Sequence, residues 1–124
     1  MKSDAFRDAA ERLDLDATIA TMSPAVVLRS PVASEPFHGT DAVRRVFAIL
    51  YEVFEELEFS ETYTSEDGGE LLHFRWRIGG QAAEGVDMMH FDASDLIDDY
   101  RVMVRPLAAV HALRDAVFTR LAES

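Results

Sequence analysis

Apolar residues recur every three or four positions in the first half of the chain, which predicts helices there. A short helix follows the capping residue Ser3, and a second covers Leu15 to Met22 and ends before Ser23-Pro24. A long helix follows Thr40 as its cap. Its apolar stripe consists of Val43, Val46, Phe47, Leu50, Phe54 and Leu57.

From Leu57 onward the apolar pattern has a period of two, which predicts strands. A first strand leads to a turn at 65–69, and Gly79-Gly80 predicts a tight hairpin after the second strand. The second strand alternates between two sets of residues, one with Leu72, Phe74, Trp76 and Ile78, the other with His73, Arg75 and Arg77. The remaining predicted elements are strands at 25–29, 82–91 and 96–105 and a final helix at 107–121.

This order of elements predicts an α+β fold in which four consecutive strands form an antiparallel meander. A curved, mainly antiparallel sheet wrapped around the N-terminal helices and the long helix would enclose a conical cavity. The proline-bracketed segment 30–40, SPVASEPFHGT, would lie at its rim, and the final helix is an addition to this roll. A length of 124 residues predicts one domain, 1–124.

Composition and charge narrow the range of partners. The net charge of −11 makes nucleic acid and anionic membranes improbable partners, since both are polyanionic. The chain has no cysteine, which excludes disulfides and thiolate chemistry, and the four histidines are too scattered to predict a metal site. We expect no cofactor. With no secretion signal and no apolar run of membrane-spanning length, a cytoplasmic location is expected.

Three stretches resemble the nuclear transport factor 2-like superfamily, which includes ketosteroid isomerases, SnoaL-type polyketide cyclases and limonene-epoxide hydrolases. They are DLDATIATMSPAVVLRSPVASEPFHGTDAVRRVF at 14–47, GVDMMHFD at 85–92 and LIDDYRVMVRPL at 96–107. Segment 30–40 is similar to the isomerase loop, which reads Asp-Pro-Val-Gly-Ser-Glu-Pro, then two residues, then Gly-Thr. The resemblance implies a cone-shaped roll that pairs into a homodimer through the outer face of the sheet.

The resemblance carries the isomerase site over only in part. The acid that opens the loop in the isomerases is the base that moves a proton beside a ketone, and Ser30 stands in that position. The tyrosine that donates to the enolate oxygen falls on Phe6, which has no hydroxyl. The acid that shares this oxyanion hole matches Asp87. Two of the three catalytic positions therefore lack the required group.

The other enzymes of the superfamily are matched no better. The resemblance places the arginine of the epoxide hydrolases on Gly85 and one of their two acids near Val102, while Asp87 fits the other acid. The cyclases carry an acidic base on the last strand, where this chain has Tyr100, Val102 and Val104. No complete inherited active site is predicted.

Asp87 is the strongest single candidate, because a carboxyl group that faces an apolar cavity acquires a raised pKa. It could serve as a general acid or a donor to a ligand, or be paired structurally with an arginine or a tyrosine. Tyr51, Tyr100 and the loop residue His38 are weaker candidates. The predicted ligand-binding residues are Phe6, Ser30, Tyr51, Phe54, Asp87, Met89, Tyr100 and Val102; the candidate catalytic residues are Asp87 and Tyr100.

Three functions remain open at this point. The first is a protein that binds a small, largely apolar molecule with Asp87 as its polar anchor. The second is an isomerase, cyclase or hydrolase that uses Asp87 as acid or base, and the third is a non-catalytic dimerisation module. In the third, His73, Arg75 and Arg77 would pair with acidic groups of a second copy across the outer face.

Overall fold

The computed structural model describes residues 1–123 and contains four helices and six strands. None of the helices in this range is long and apolar enough to cross a membrane. In chain order the elements are α1 (Asp4–Glu11), α2 (Leu15–Ala20), β1 (Met22–Arg29), β2 (Phe37–His38), α3 (Gly39–Val53), β3 (Glu55–Thr64), β4 (Glu70–Ile78), β5 (Gln81–Phe91), β6 (Ile97–Arg105) and α4 (Leu107–Glu123).

The six strands form one curved sheet in the order β2-β1-β6-β5-β4-β3. Strands β3 to β6 are the predicted antiparallel meander, with the turn at 65–69 and the Gly79-Gly80 hairpin where the sequence placed them. Strand β1 joins the other side of β6 in parallel, and β2 pairs with β1. The helices cover the concave face, so the predicted α+β conical roll is confirmed.

Several predicted boundaries are wrong, among them the end of α3, which stops at Val53, so Phe54 and Leu57 of its predicted stripe lie outside the helix. Helix α2 ends at Ala20 instead of Met22, and β1 already begins at Met22, which pairs with Ile97 while the Ile97 N–H donates to the Thr21 carbonyl. Helix α3 begins at Gly39, so His38 and not Thr40 occupies the N-cap position. Gly39 has a φ of 84°, a conformation that only glycine adopts freely, and the turn is made there.

The alternation along the strands separates a buried from an exposed face. Leu72, Phe74 and Trp76 of β4 point inward, and His73 and Arg75 point outward. Along β5 the inward positions are 83, 85, 87, 89 and 91, and along the end of β6 they are 100, 102 and 104. Among the residues that β5 contributes to the concave face, Asp87 is therefore the polar one.

Helix α1 is attached to the sheet by a buried carboxylate. Glu70 accepts hydrogen bonds from the Lys2 and Ser3 amides and from the Ser3 hydroxyl. These amides lie just before the first turn of α1, and the Ser3 side chain, which was predicted to cap the helix, makes no capping hydrogen bond and donates to Glu70 instead. This contact fixes Phe6 of α1 against the concave face.

Candidate functional site: an apolar cavity with few polar groups

A cavity of about 60 Å³ lies between the concave face and helices α1, α3 and α4. Its volume is several times the roughly 10–15 Å³ that one ordered water requires. Of the predicted ligand-binding residues, those that line it are Phe6, Ser30, Tyr51, Phe54, Asp87, Tyr100 and Val102. Met89 does not; it lies two residues further along β5, opposite Glu70, and is buried there.

Asp87 occupies the middle of β5 between Leu72 of β4 and Val102 of β6. It is only 3% exposed. Burial raises the pKa of its carboxyl group from 3.8 to about 7, and a hydrogen bond with Tyr100 opposes this rise. Near neutral pH the group is therefore divided between a protonated form that can donate a hydrogen bond and an ionised form that can accept a proton.

Two tyrosine hydroxyls lie close to this carboxyl group. Burial raises the pKa of Tyr100 well above its usual value, and the charge of Asp87 raises it further. Burial also raises the pKa of Tyr51 to about 12, against the effect of its hydrogen bond with Thr18, whose Oγ1 lies 2.7 Å from the Tyr51 hydroxyl oxygen. Both phenols therefore keep their protons throughout the physiological pH range.

Tyr100 is held by aromatic rings on two sides. Phe6 of α1 meets it edge to face at a centroid distance of 5.3 Å, and Phe47 of α3 does so at 5.7 Å. The Asp87–Tyr100 pair is consequently fixed by α1, α3 and β6 together. Of the two structural partners expected for Asp87, an arginine or a tyrosine, the structure shows the tyrosine, because Asp87 is hydrogen-bonded to Tyr100.

The rim of the cavity is formed by Ser30, Pro31 and Val32. The Ser30 hydroxyl accepts a hydrogen bond from the Val32 amide at 3.2 Å, which closes a small turn. His38, another candidate, is exposed and is not among the residues that line the cavity. Within residues 1–123, no group of three or more histidine, aspartate or glutamate side chains could hold a metal ion.

Trp76 also lines the cavity, although sequence reasoning assigned it only to the buried face of a strand. Its side chain is 2% exposed, and its ring stacks on Phe54 at a centroid distance of 4.6 Å and lies parallel to Phe74 at 6.5 Å. Its indole nitrogen has no hydrogen-bond partner within residues 1–123. The strand alternation indicated its inward direction, but no sequence pattern indicates that its N–H is unpaired.

The mouth of the cavity is covered by α4, whose Leu113 and Val117 are buried and belong to the lining. The predicted final helix therefore contributes to the site, which the sequence reasoning missed. Its opposite side is open to solvent, with Leu107 and Phe118 exposed.

The outer face of the sheet has apolar residues at its centre, Val86, Met88 and Met103, with Met103 51% exposed. Glu84 on the same face is bonded to His73 and Arg105, and Arg77 approaches Glu56. These side chains therefore have partners within their own chain, whereas the sequence predicted that His73 and Arg77 pair with a second copy. The side chain of Arg75 makes no hydrogen bond or ion pair with residues 1–123, although its backbone is paired within the sheet.

Comparison with known proteins agrees with this geometry. The model of the SnoaL-like domain matches residues 4–100, which include α1 to α3, β1 to β5 and the Asp87–Tyr100 pair. The chain belongs to the SnoaL-like domain family. Helix α4 lies beyond the matched residues. None of the curated proteins matches the chain.

Among solved structures, a steroid delta-isomerase from Pseudomonas aeruginosa is 32% identical to this SnoaL-like chain, with a TM-score of 0.90 over 98% of this chain and 90% of that one. A bacterial protein with a cystatin-like fold from Silicibacter pomeroyi is 26% identical, with a TM-score of 0.91 over 98% of this chain and 85% of that one. The epoxide hydrolase/cyclase-like enzyme SalBIII shares the fold, with a TM-score of 0.71. It is 17% identical, and the match covers 86% of this chain and 88% of that one.

Proposed function

We propose that this SnoaL-like domain binds a small, largely apolar molecule in its cavity, with Asp87 as the polar anchor. The observation that carries the proposal is a buried carboxyl group, hydrogen-bonded to Tyr100, within an otherwise apolar lining. Such a site is typical of pockets in which hydrophobic contact provides affinity and a few polar groups fix orientation. The absence of cysteine suits a cytoplasmic protein.

The size of the cavity limits the ligand. Its volume of about 60 Å³ is well below the roughly 300–1,000 Å³ of drug-sized sites, so we expect one small ring or a short chain. The similarity to a steroid delta-isomerase supports a carbonyl-bearing ligand, since the protonated carboxyl group of Asp87 can donate a hydrogen bond to a carbonyl oxygen. We expect the ligand to be smaller than a steroid.

Native mass spectrometry of the freshly purified protein tests this function. We expect an additional small mass on the wild-type chain. This mass should be lost in Asp87→Leu, because leucine is similar in size to aspartate but has no hydrogen-bond donor. Asp95→Asn is the matched control, because Asp95 is exposed in a turn and Asn tolerates its φ of 62°. Equal retention of the mass by Asp87→Leu would contradict the anchoring role.

A second candidate function is an isomerase, cyclase or hydrolase in which Asp87 transfers a proton, assisted by Tyr100 or Tyr51. A pKa of about 7 favours it, because a group with that pKa can both give and take a proton near neutrality. Ser30 at the rim has no useful basicity, so such an enzyme would rely on Asp87 for the proton transfer. The substrate of such an enzyme would have to be as small as the ligand described above, because it would occupy the same cavity of about 60 Å³.

The ring ketone 3-cyclohexen-1-one separates an isomerase from a binding protein, since movement of its double bond into conjugation produces a strong ultraviolet band. An enzyme would form 2-cyclohexen-1-one faster than buffer and lose this activity in Asp87→Asn. A binding protein would take up the ketone with no conversion. Binding that survives Asp87→Asn together with lost turnover would favour the enzyme.

We further propose that two copies associate through the outer face of the sheet. Its exposed apolar residues Met88 and Met103 support this arrangement, as does the Arg75 side chain on the same face, which has no partner within residues 1–123. The family resemblance points to the same surface. If the cavity bound nothing, dimerisation alone would be the remaining function.

A further inference from the structure

The indole nitrogen of Trp76 is a buried donor with no acceptor among residues 1–123. Buried tryptophan N–H groups usually find a partner, and unpaired buried donors are rare in native proteins. Within residues 1–123, the Trp76 nitrogen is the one buried side-chain nitrogen or oxygen that lacks a hydrogen-bond partner. Its side chain is 2% exposed and belongs to the cavity lining.

The position of this ring is fixed by its neighbours. Phe54 covers one face with an interplanar angle of 20°, and Phe74 lies nearly parallel at 8°. Phe74 in turn lies close against Gly85, where a Cβ would be 2.8 Å from the Phe74 ring. A rotation of the indole to find another partner would break these contacts.

Trp76 also lies in a different part of the cavity from Asp87. In the register of β4 and β5, Leu72 is opposite Asp87 and Trp76 is opposite Ala83. Four residues of strand separate the two levels, about 13 Å at about 3.3 Å per residue. Trp76 is therefore a separate lining residue of the cavity and not an addition to the Asp87–Tyr100 pair.

We propose that Trp76 determines ligand specificity by donating its indole N–H to a neutral oxygen of the bound molecule, such as that of a ketone, an ester or an ether. The surroundings select a neutral acceptor, because Phe54, Phe74 and Val104 would leave an anion without solvation. This inference rests on the proposed binding function and adds the chemical class of the ligand.

The chain has a single tryptophan, so its indole gives one resonance in a ¹H–¹⁵N spectrum. We would titrate the wild-type protein with cyclohexanone and, separately, with methylenecyclohexane, which has the same shape but a CH₂ group in place of the oxygen. The titration is made at pH 8.5, where Asp87 is mostly ionised and cannot donate to the ketone. We expect cyclohexanone to move the indole proton downfield and methylenecyclohexane not to do so.

The variant Trp76→Phe provides the affinity measurement. The ratio of affinities for the ketone over the hydrocarbon should fall about five- to tenfold, the usual effect of one buried hydrogen bond. Phe54→Leu is the control, because it loosens the same ring stack and keeps the indole. It should weaken the binding of both molecules and leave their ratio unchanged.

The outcomes distinguish this inference from the proposed function. If both molecules shift resonances of the cavity residues while the indole proton stays in place with the ketone, the inference about Trp76 is wrong and the binding function stands. An unchanged affinity ratio in a folded Trp76→Phe would overturn it as well. If neither molecule shifts any cavity resonance, the binding function fails and the inference fails with it.

Discussion

The chemistry of Asp87 depends on its surroundings more than on its identity. On an exposed surface the same carboxyl group would be ionised at neutral pH, whereas the apolar lining raises its pKa to about 7. Sequence reasoning predicted the direction of this change from the neighbours Val86, Met88 and Met89, together with the inward orientation. The hydrogen-bond partner of Asp87 could not be predicted in the same way, since Tyr100 reaches Asp87 from the neighbouring strand β6.

Burial of Asp87 also predicts how stability varies with pH. A pKa raised in the folded state stabilises the fold below the unfolded value of 3.8, and this contribution is lost as the pH rises to about 7. At about 1.4 kcal/mol for each pH unit, the loss is on the order of 4 kcal/mol. Asp87→Asn, which cannot ionise, should therefore be more stable than the wild type at pH 8, and similar to it near pH 4.

Urea denaturation of both proteins at several pH values measures this difference. Asp95→Asn should follow the wild type at every pH, since Asp95 is an exposed turn residue. A difference between Asp87→Asn and the wild type that stays constant from pH 4 to pH 8 would mean that Asp87 is not desolvated. If Asp87→Asn binds no ligand and is nevertheless more stable than the wild type above pH 7, Asp87 is a residue that lowers stability and is retained for binding.

Trp76 illustrates what a residue pattern can and cannot reveal. The alternation of Leu72, Phe74, Trp76 and Ile78 predicts that the indole is buried, and it is. Whether its nitrogen has a partner depends on the orientation of the ring, and that is set by Phe54 from the end of α3 and Phe74 from the same strand. Contacts between distant segments leave no periodic signal in the sequence.

At the scale of elements, the meander was predictable because each of its strands carries its own signal. Period-two alternation, a five-residue turn and a Gly-Gly hairpin are all local features. Strand β2 has only two residues, Phe37–His38, too few for any alternation. The parallel pairing of β1 with β6 joins segments about seventy residues apart, so nothing in the local pattern of either strand specifies it.

Strand β5 depends on a glycine at its centre. A Cβ at Gly85 would lie 2.2 Å from the Met103 carbonyl oxygen and 2.8 Å from the Phe74 ring. Backbone cannot yield as a flexible side chain does, so Gly85→Ala should lower the free energy of unfolding by about 2 kcal/mol or more. It should also displace Phe74 and, with it, the ring stack on Trp76.

The matched control is Ala82→Val, which adds bulk to an exposed position of the same strand. Its effect should stay within about 0.5 kcal/mol. Thermal denaturation together with the indole resonance reports both stability and the ring stack. A Gly85→Ala variant with wild-type stability would contradict the close contact between β5 and β6 at this point.

At the scale of the whole molecule, the two faces of the sheet have separate roles. The concave face contains the cavity, and the outer face carries exposed apolar residues among charged ones. The resemblance and the alternation together allow this division to be predicted. They do not show that Glu84 already pairs with His73 and Arg105 in one chain, because those pairings depend on the register of three strands.

The proposed dimer gives a prediction at the same scale. Met103→Glu places a charge at the exposed apolar centre of the outer face, so we expect the dimer to separate into folded monomers. Leu107→Glu introduces the same charge on an exposed residue of α4 and should leave the dimer intact. Analytical ultracentrifugation distinguishes these states. A wild-type protein that sediments as a monomer would contradict the interface.

The parallel pairing of β1 with β6 also has a consequence for synthesis. While the ribosome is still adding residues before Ile97, β3, β4 and β5 can already pair, whereas β1 has only the two residues of β2 beside it. Its other edge stays open until β6 has emerged. The nascent chain must therefore pass through a period in which a buried strand is exposed to other chains, and the cavity can form only after β6 has paired with β1.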